Sequence, residues 1–272
     1  MTPHPKLTPQ HHGPGQSFSK ETFAFLLTPT KTPMKKLLCL FALLALVSPA
    51  WAKPIRIMVF GDSISWGWEP NPNPPSVRFP PDSRWPGVLQ KELGPDYEVI
   101  EEALNGRTTD ASDNQLEGAG LNGAAYLPAA LSSHHPLDLV IIMLGTNDLK
   151  PAYNRSPYRI ALGAAHLIDI CNTIDGGIGT AYPSPKVLLI CPAALNPIIE
   201  KGPVFGEMFK GGLEKSKQLP KLYEGVAQLG GAAFFDANTV ISTDGTDGLH
   251  ISADAEKKLG TAIAAKVREI MK

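Results

Sequence analysis

Three residues of this 272-residue chain have the types and spacing of a nucleophile with its base. Ser63 ends an apolar run that begins at Ile55 and closes in Gly61-Asp62-Ser63, so its hydroxyl is predicted at the carboxyl end of a strand. A free hydroxyl is a poor nucleophile, and His250 can take its proton because an imidazole titrates near pH ~6.5. Asp247, three residues earlier on a glycine-containing turn, can hold the far ring nitrogen. The pattern predicts nucleophilic catalysis by Ser63, Asp247 and His250.

Two further loops carry hydrogen-bond donors suited to a developing oxyanion. Asn105-Gly106-Arg107 follows the second predicted strand, and Gly145-Thr146-Asn147-Asp148 follows the third. The backbone N–H groups of Ser63 and Gly106 and the side-chain amide of Asn147 are three candidate donors, each worth about 3 kcal/mol of barrier. Each loop alone is equally typical of a strand-ending turn. The prediction depends on their occurring together at successive strand ends.

Alternating strand-like and helix-like segments must position these loops. Strands are predicted at 55–61, 97–101, 137–144, 186–191 and 232–236. Helical patterns are found at 84–94, 120–135, 160–170, 213–229 and from Ser252 to the C-terminus. This alternation predicts an α/β fold, a three-layer α/β/α sandwich around a five-stranded parallel sheet of flavodoxin-like order 2-1-3-4-5. The loops after strands one, two, three and five would then emerge at one edge and form one pocket.

Charge and composition exclude several classes of partner. The 25 basic and 26 acidic residues give a net charge of −1, with no basic stripe for nucleic acid and no polybasic cluster for lipid. Histidines and carboxylates do not recur at metal-ligand spacing, so we expect no metal and no cofactor. Cys171 and Cys191 are compatible with a disulfide or with two buried thiols.

The first 52 residues are predicted to lie outside the folded domain. Met34-Lys-Lys, the apolar run 37–47 and Ala50-Trp51-Ala52 have the pattern of a secretory signal peptide over 34–52, with a mature start near Lys53. Residues 1–33 are then a disordered tail or an over-extension of the reading frame. A retained anchor helix is the alternative. We therefore expect a periplasmic or secreted protein with one domain over 53–272 and no membrane span in its mature form.

Aromatic residues in the loops are candidates for the walls of a substrate pocket. Trp66 and Trp68 follow Ser63, and Phe205 and Phe209 lie in the loop 196–212, which we predict to be a partial lid. The tryptophan pair is compatible with stacking on a sugar, with walling an acyl pocket or with packing in the core.

Taken together, these motifs resemble the four sequence blocks of the SGNH, or GDSL, hydrolases. The matching residues are Gly61-Asp62-Ser63, Gly106, Gly145-x-Asn147-Asp148 and Asp247-x-x-His250. The similarity extends over 55–271 and is closest to the bacterial arylesterase and acyltransferase branch. It implies the SGNH hydrolase fold and an acyl-enzyme, with Ser63, Asp247 and His250 as the triad and Ser63, Gly106 and Asn147 as the oxyanion hole. It also implies a homo-oligomer with narrow hydrophobic channels and, in some members, transfer of the acyl group to alcohols or hydrogen peroxide.

We therefore expect a secreted serine esterase that hydrolyses short-chain aryl or alkyl esters and transfers some acyl groups to alcohols. A carbohydrate acetyl esterase and a lysophospholipase-type lipid esterase are alternatives within the same chemistry. A carbohydrate- or peptide-binding module without catalysis is the alternative from another class. The complete set of Ser63, Asp247 and His250 favours the enzyme, because a full constellation constrains chemistry where a fold does not.

Overall fold

The computed structural model describes residues 53–70, 77–112 and 120–272. The predicted extension 1–33 and signal peptide 34–52 lie outside the described residues. Ala52–Lys272 forms one compact unit. Among the residues that the structure describes, no helix has both the length and the apolar character needed to cross a membrane.

Five strands form the predicted parallel sheet. They are β1 (Ile55–Gly61), β2 (Tyr97–Ala103), β3 (Leu139–Met143), β4 (Lys186–Cys191) and β5 (Ala233–Asp236). The strand order is β2-β1-β3-β4-β5 and every neighbouring pair is parallel, which confirms the predicted topology. All five residues of β3 are buried, as expected of a central strand covered on both faces. β2 continues two residues beyond its predicted end.

The described part of the chain contains eight α-helices. They are α1 (Ser63–Trp66), α2 (Trp85–Leu93), α3 (Gly123–His134), α4 (Pro157–Thr173), α5 (Phe205–Met208), α6 (Gly212–Ser216), α7 (Leu219–Leu229) and α8 (Ala253–Ile270). The single helix predicted over 213–229 is wrong, because it divides into α6 and α7. Pro220 explains the break, since inside a continuous helix it would lose its bond to the Ser216 carbonyl and clash with it. At the start of α7 its missing N–H costs nothing.

The sheet has an apolar layer on each face. Met58 and Phe60 of β1 belong to the core cluster that includes buried residues of α3, α4 and α7. Ile57 and Val59 point the other way and pack in the cluster that includes α2 and α8. Alternate residues of a strand face opposite sides, so β1 is held from both sides up to Gly61. Ser63 follows that anchored strand directly.

Cys171 and Cys191 are free and buried. Burial raises the pKa of the Cys171 thiol to about 12 and that of Cys191 well above its ordinary value. Of the two possibilities left open by the sequence, the structure shows buried thiols.

Candidate active site

Ser63 lies at the turn from β1 into α1. The Asp62 side chain caps this helix, its Oδ1 accepting a hydrogen bond from the Ile64 N–H at 3.0 Å. A Cβ at Gly61 would lie 2.2 Å from the Ser65 Oγ, so the tight turn requires glycine there. The turn holds Ser63 at the edge of the sheet with 9% of its surface exposed.

A continuous hydrogen-bonded chain joins Ser63 to His250 and Asp247. The Ser63 Oγ lies 2.9 Å from His250 Nε2, and His250 Nδ1 lies 2.7 Å from Asp247 Oδ2. With the proton on Nδ1, the ring donates to Asp247 and Nε2 is left to accept the serine proton. The loops after β1 and β5 therefore bring together three residues that are up to 187 positions apart in the sequence.

Asp247 is anchored by backbone donors of its own loop. Its Oδ1 accepts hydrogen bonds from the N–H groups of Leu249 at 2.9 Å and His250 at 2.8 Å. Burial alone would raise the pKa of Asp247, but the hydrogen bonds and charge of His250 and the Leu249 N–H outweigh it and lower the pKa below its ordinary value. Asp247 is therefore a carboxylate at neutral pH, fixed in position to orient the ring.

Two aromatic rings enclose the His250 imidazole. Trp68 is stacked on it, with ring centroids 5.2 Å apart and planes inclined by 16°. Phe205 presents an edge at 6.0 Å. These contacts restrict movement of the imidazole ring in directions that its hydrogen bond to Asp247 does not restrict. They also cover the base with apolar surface.

The candidate oxyanion donors reach the same cavity from two other strand ends. Gly106 follows β2 with φ of +85°, a conformation that favours glycine. Asn147 begins a short 3₁₀ helix after β3, and its Nδ2 donates to the Arg107 carbonyl at 3.1 Å. Ser63, Gly106 and Asn147 all line the cavity that His250 lines.

The cavity is small and mainly apolar, with a volume of about 110 Å³. Its lining residues are Ser63, Trp68, Asn105, Gly106, Asn147, Lys150, Phe205, Met208, Phe209, Leu249 and His250. Trp68, Phe205 and Phe209 therefore stand where the sequence predicted a wall. Trp66, which was predicted to stand in the same wall, is not among these lining residues. Its ring instead lies 5.1 Å from the Arg78 guanidinium, and its carbonyl accepts a bond from Arg78 Nε.

With this geometry in place, comparisons with known proteins decide the family. The chain matches the sequence model of the GDSL-like lipase/acylhydrolase family over residues 59–258. It belongs to this family. A comparison with functionally curated proteins gave no match.

Solved structures of esterases resemble this GDSL hydrolase over nearly their whole length. An aryl esterase of M. smegmatis is 49% identical with a TM-score of 0.75, and the match covers 80% of this chain and 99% of that one. A carbohydrate acetylesterase from Sinorhizobium meliloti is also 49% identical with a TM-score of 0.75, over 79% and 99% of the two chains. A further carbohydrate acetylesterase family member from the same organism is 35% identical with a TM-score of 0.72, over 81% and 99%. The family and these neighbours show that the chain is a serine carboxylic-ester hydrolase.

Four lining residues of this GDSL hydrolase escaped the sequence analysis. They are Asn105, Lys150, Met208 and Leu249. Each lies beside or between residues that the motifs singled out, so adjacency was the available signal. Sequence alone does not show which neighbours of a motif residue face the cavity.

Buried carboxyls lie beneath the site. Burial, with a further contribution from the charge of Asp148, raises the pKa of Asp62 to about 7, although the Ile64 N–H lowers it. Burial also raises the pKa of Asp148, whose carboxylate accepts bonds from the Thr109 N–H at 2.9 Å and hydroxyl at 2.6 Å. Asp148 thereby ties the loop after β3 to the loop after β2.

Two further histidines pair with carboxylates distant in sequence. His134 Nε2 lies 3.1 Å from Glu102 Oε2, and His166 Nδ1 lies 3.8 Å from Asp110 Oδ2. Neither histidine lines the cavity. In the described ranges, no group of three or more His, Cys, Asp or Glu side chains is arranged to hold a metal ion.

Proposed function

We propose that Ser63 is the nucleophile of this hydrolase, His250 its general base and Asp247 the residue that orients the base. The observation that carries the proposal is the hydrogen-bonded chain, 2.9 Å from Ser63 to His250 and 2.7 Å from His250 to Asp247. The first distance allows proton transfer from Ser63 to His250, and the second allows Asp247 to accept the hydrogen bond that orients the ring.

The reaction proceeds in two halves through an acyl-enzyme. Ser63 Oγ attacks the ester carbonyl while His250 Nε2 accepts its proton, and the resulting oxyanion faces the N–H groups of Ser63 and Gly106 and the Asn147 amide. His250 then gives the proton to the departing alcohol as the carbon–oxygen bond breaks. Water enters, loses a proton to His250 and attacks the acyl group. The second tetrahedral intermediate collapses to the carboxylic acid and regenerates the Ser63 hydroxyl.

The size of the cavity favours short acyl groups. Its volume of about 110 Å³ is well below the roughly 300–1,000 Å³ of ordinary ligand pockets and corresponds to only a few water molecules at about 30 Å³ each. Trp68, Phe205 and Phe209 supply apolar walls. We infer acetyl to butyryl esters of aryl or alkyl alcohols as substrates. Acetylated carbohydrates are the second candidate, favoured by the identity of 49% with the S. meliloti carbohydrate acetylesterase.

The apolar walls also favour transfer of the acyl group to an alcohol. Water and an alcohol compete for the same acyl-enzyme, and an alcohol gains when the site lowers the local activity of water and binds the alcohol beside the acyl group. Trp68 and Phe205 contact the His250 ring and Met208 lines the same cavity, which supplies apolar surface for such binding. We infer transfer to small primary alcohols in addition to hydrolysis.

Export is part of the proposal and depends on the signal-peptide pattern of residues 34–52. The expected mature N-terminus is at or near Lys53. Amino-terminal sequencing of protein recovered from the periplasm or medium tests this. An intact 34–52 segment on the exported protein would contradict it.

Kinetics of serine variants test the nucleophile. Ser63→Ala is expected to lower kcat for p-nitrophenyl acetate by about 10³-fold or more, and His250→Ala by a similar factor, because triad members act as a unit. Ser65→Ala is the matched control, since this buried hydroxyl lies two residues away and has no hydrogen-bond partner in the part of the chain that the structure describes. It should keep kcat within about twofold. Retention of more than a few per cent of activity by folded Ser63→Ala would refute the mechanism.

A chain-length series tests the size of the acyl group. The value of kcat/KM should be highest for p-nitrophenyl acetate to butyrate and fall steeply by octanoate, because the longer chain does not fit the cavity. Equal values across the series would contradict the inference of short acyl groups.

A further inference from the structure

Arg107 is a buried charge beneath the active site to which the mechanism gives no role. Its side chain is among the largest that are fully buried, with 1% of the residue exposed. The guanidinium carbon lies 4.3 Å from the ring centroid of Phe60 and 5.0 Å from that of Tyr126. An arginine in these surroundings has lost most of its hydration, which costs free energy unless strong partners replace the water.

The partners of the guanidinium are the ends of two strands. Nη1 donates to the Glu102 carbonyl at 2.5 Å and to the Gly61 carbonyl at 3.3 Å. Nη2 lies 3.7 Å from Glu102 Oε1. Gly61 closes β1 two residues before Ser63, and Glu102 is the penultimate residue of β2. One planar group therefore fixes the spacing of the two strand ends from which the nucleophile and the Gly106 loop emerge.

The backbone of the same residue reaches the third oxyanion donor. The Arg107 carbonyl accepts the hydrogen bond of Asn147 Nδ2 at 3.1 Å, and its own N–H donates to the Leu104 carbonyl at 3.1 Å. Gly106 precedes it directly in the left-handed conformation. Movement of Arg107 would therefore move both the Gly106 N–H and the Asn147 amide relative to Ser63.

A contribution to fold stability does not by itself explain why a charged side chain is buried at this position. Replacing a buried ionic group by an apolar one of similar size is often neutral or stabilising in proteins. Within the described ranges the Arg107 Nε has no hydrogen-bond partner, so the burial of this group is not fully compensated. An apolar side chain cannot donate hydrogen bonds to the two strand-end carbonyls, as Arg107 Nη1 does while Nη2 faces the Glu102 carboxylate.

We propose that Arg107 is a positioning residue for the oxyanion hole. It joins the ends of β1 and β2 so that the N–H groups of Ser63 and Gly106 and the Asn147 amide converge on the developing charge. The inference rests on the proposed function, because it assigns Arg107 a part in stabilising the tetrahedral intermediate formed at Ser63.

The test compares Arg107→Met and Arg107→Lys with Arg84→Met. Arg84 is a matched control because its side chain is 11% exposed and also binds a carboxylate of β2, the neighbouring Glu101, at 2.6 and 2.9 Å. Arg84 does not line the cavity. The measurements are kcat and KM for p-nitrophenyl acetate and the dissociation constant of phenylboronic acid, which forms a tetrahedral adduct with an active-site serine. Circular dichroism gives the folded fraction.

Loss of one oxyanion donor lowers kcat by about 10²–10³-fold, so displacement of two donors should also lower kcat substantially. We expect Arg107→Met to lower kcat at least about 30-fold while KM stays within about threefold. The dissociation constant of phenylboronic acid should rise by a factor similar to the loss in kcat. Arg107→Lys should lose about tenfold, because its single ammonium can bond the carbonyls but leaves no second nitrogen to face Glu102 Oε1. Arg84→Met should stay within about twofold on all three quantities.

Several results would overturn the role of Arg107. They are a kcat of Arg107→Met within threefold of wild type, a change confined to KM, unaltered phenylboronic acid binding, or an equal loss in Arg84→Met. If Arg107→Met does not fold, Arg107→Lys against Arg84→Lys decides by the same criteria. Activity that survives Ser63→Ala would instead refute the proposed function itself.

Discussion

Two regions of this hydrolase withdraw a carboxyl group from water, and the pKa of that group is lowered in one region and raised in the other. In the loop after β5, Asp247 accepts three hydrogen bonds, from the Leu249 N–H, the His250 N–H and the His250 ring. Where α2 packs against α8, the fully buried Glu256 accepts one, from the Trp85 N–H at 2.7 Å, and its Oε1 has no partner among the residues that the structure describes. The pKa of Asp247 is lowered, whereas burial raises the pKa of Glu256 to about 8.

The difference arises from burial and donors together, because Asp247 keeps 17% of its side chain exposed and accepts three hydrogen bonds, whereas Glu256 is fully buried and accepts one. The turn at Gly248 directs two backbone N–H groups at Asp247, which therefore stays ionised beside its histidine. Glu256 sits between two packed helices, where the Trp85 N–H is the one donor that it has among the described residues. One region is built to hold a charge for chemistry, and the other holds a neutral acid at neutral pH.

The largest effect is expected from removing the charge of Asp247. In Asp247→Asn the amide can donate to His250 Nδ1, which places the ring proton on Nε2 and leaves no acceptor for Ser63. Loss of the correct tautomer costs about 10⁴ in kcat. Steady-state kinetics with p-nitrophenyl acetate measure the loss.

Asp244→Asn provides the matched control for that variant. Asp244 lies three residues earlier in the same loop, and its carboxylate accepts bonds from the Ser252 N–H at 2.7 Å and hydroxyl at 2.6 Å at the start of α8. It should keep kcat within about threefold while lowering the melting temperature by a few degrees. Similar losses of kcat in the two variants would show that the loop fold, not the charge at Asp247, matters.

A smaller effect is expected from changing Trp68, which stacks on the His250 ring. Trp68→Ala removes both a support of the base and a wall of the cavity. Loss of support slows attack by water and alcohol alike, so their ratio reports the wall alone. We expect the ratio of benzyl acetate to acetic acid formed from vinyl acetate and benzyl alcohol to fall several-fold, because the opened site admits water.

Trp66→Ala is the control for the partition experiment, since Trp66 adjoins Trp68 but does not line the cavity. Its product ratio should equal that of the wild type. Formation of acetic acid without benzyl acetate by the wild type would remove acyl transfer from the proposed function.

The smallest effect is expected at the contact between α2 and α8. Glu256 keeps its proton in the folded state up to about pH 8 but loses it near the ordinary value of 4.5 when unfolded. The folded state therefore binds more protons between these pH values, and stability falls as pH rises through this window. Glu256→Gln removes this contribution and should raise the melting temperature at pH 8 by at least about 2 °C, with little change at pH 5.

Thermal unfolding from pH 5 to pH 8 provides the measurement for Glu256→Gln. The slope should flatten without vanishing, because Asp62, with a pKa of about 7, contributes in the same direction. Glu92→Gln, which changes an exposed carboxylate of α2, should leave the slope unchanged. Parallel curves for Glu256→Gln and the wild type would contradict the raised pKa of Glu256.

The sheet was predictable because its strands are short apolar runs that end in glycine, proline or polar residues. β4 has the predicted bounds, Lys186–Cys191, because burial on both faces leaves a continuous apolar run in the sequence. β2 ends at Ala103 instead of 101, because its ladder with β1 continues through the pairs Phe60–Glu102 and Gly61–Ala103. Local periodicity cannot reveal pairing with a strand that is distant in the sequence.

The site was predictable to the extent that it follows strand ends. Parallel topology alone brings Ser63, Asn147 and His250 to one edge. The direction of a side chain within a loop is not determined in this way, and so Trp66 was placed in the cavity and Leu249 was not. The positioning role proposed for Arg107 was also not predicted, since it depends on hydrogen bonds to backbone carbonyls, which no sequence motif identifies.

Labelling by p-nitrophenyl diethyl phosphate tests the central claim most directly. The Ser63 hydroxyl, activated by His250, attacks phosphorus, p-nitrophenolate leaves and a stable diethylphosphoryl enzyme remains. Peptide mass spectrometry should find one diethylphosphoryl group per chain on Ser63, with equimolar p-nitrophenolate and complete loss of esterase activity. The label should form in Ser65→Ala and be absent in Ser63→Ala. Inactivation with the group on another residue, or equal labelling of Ser63→Ala, would contradict Ser63 as the nucleophile.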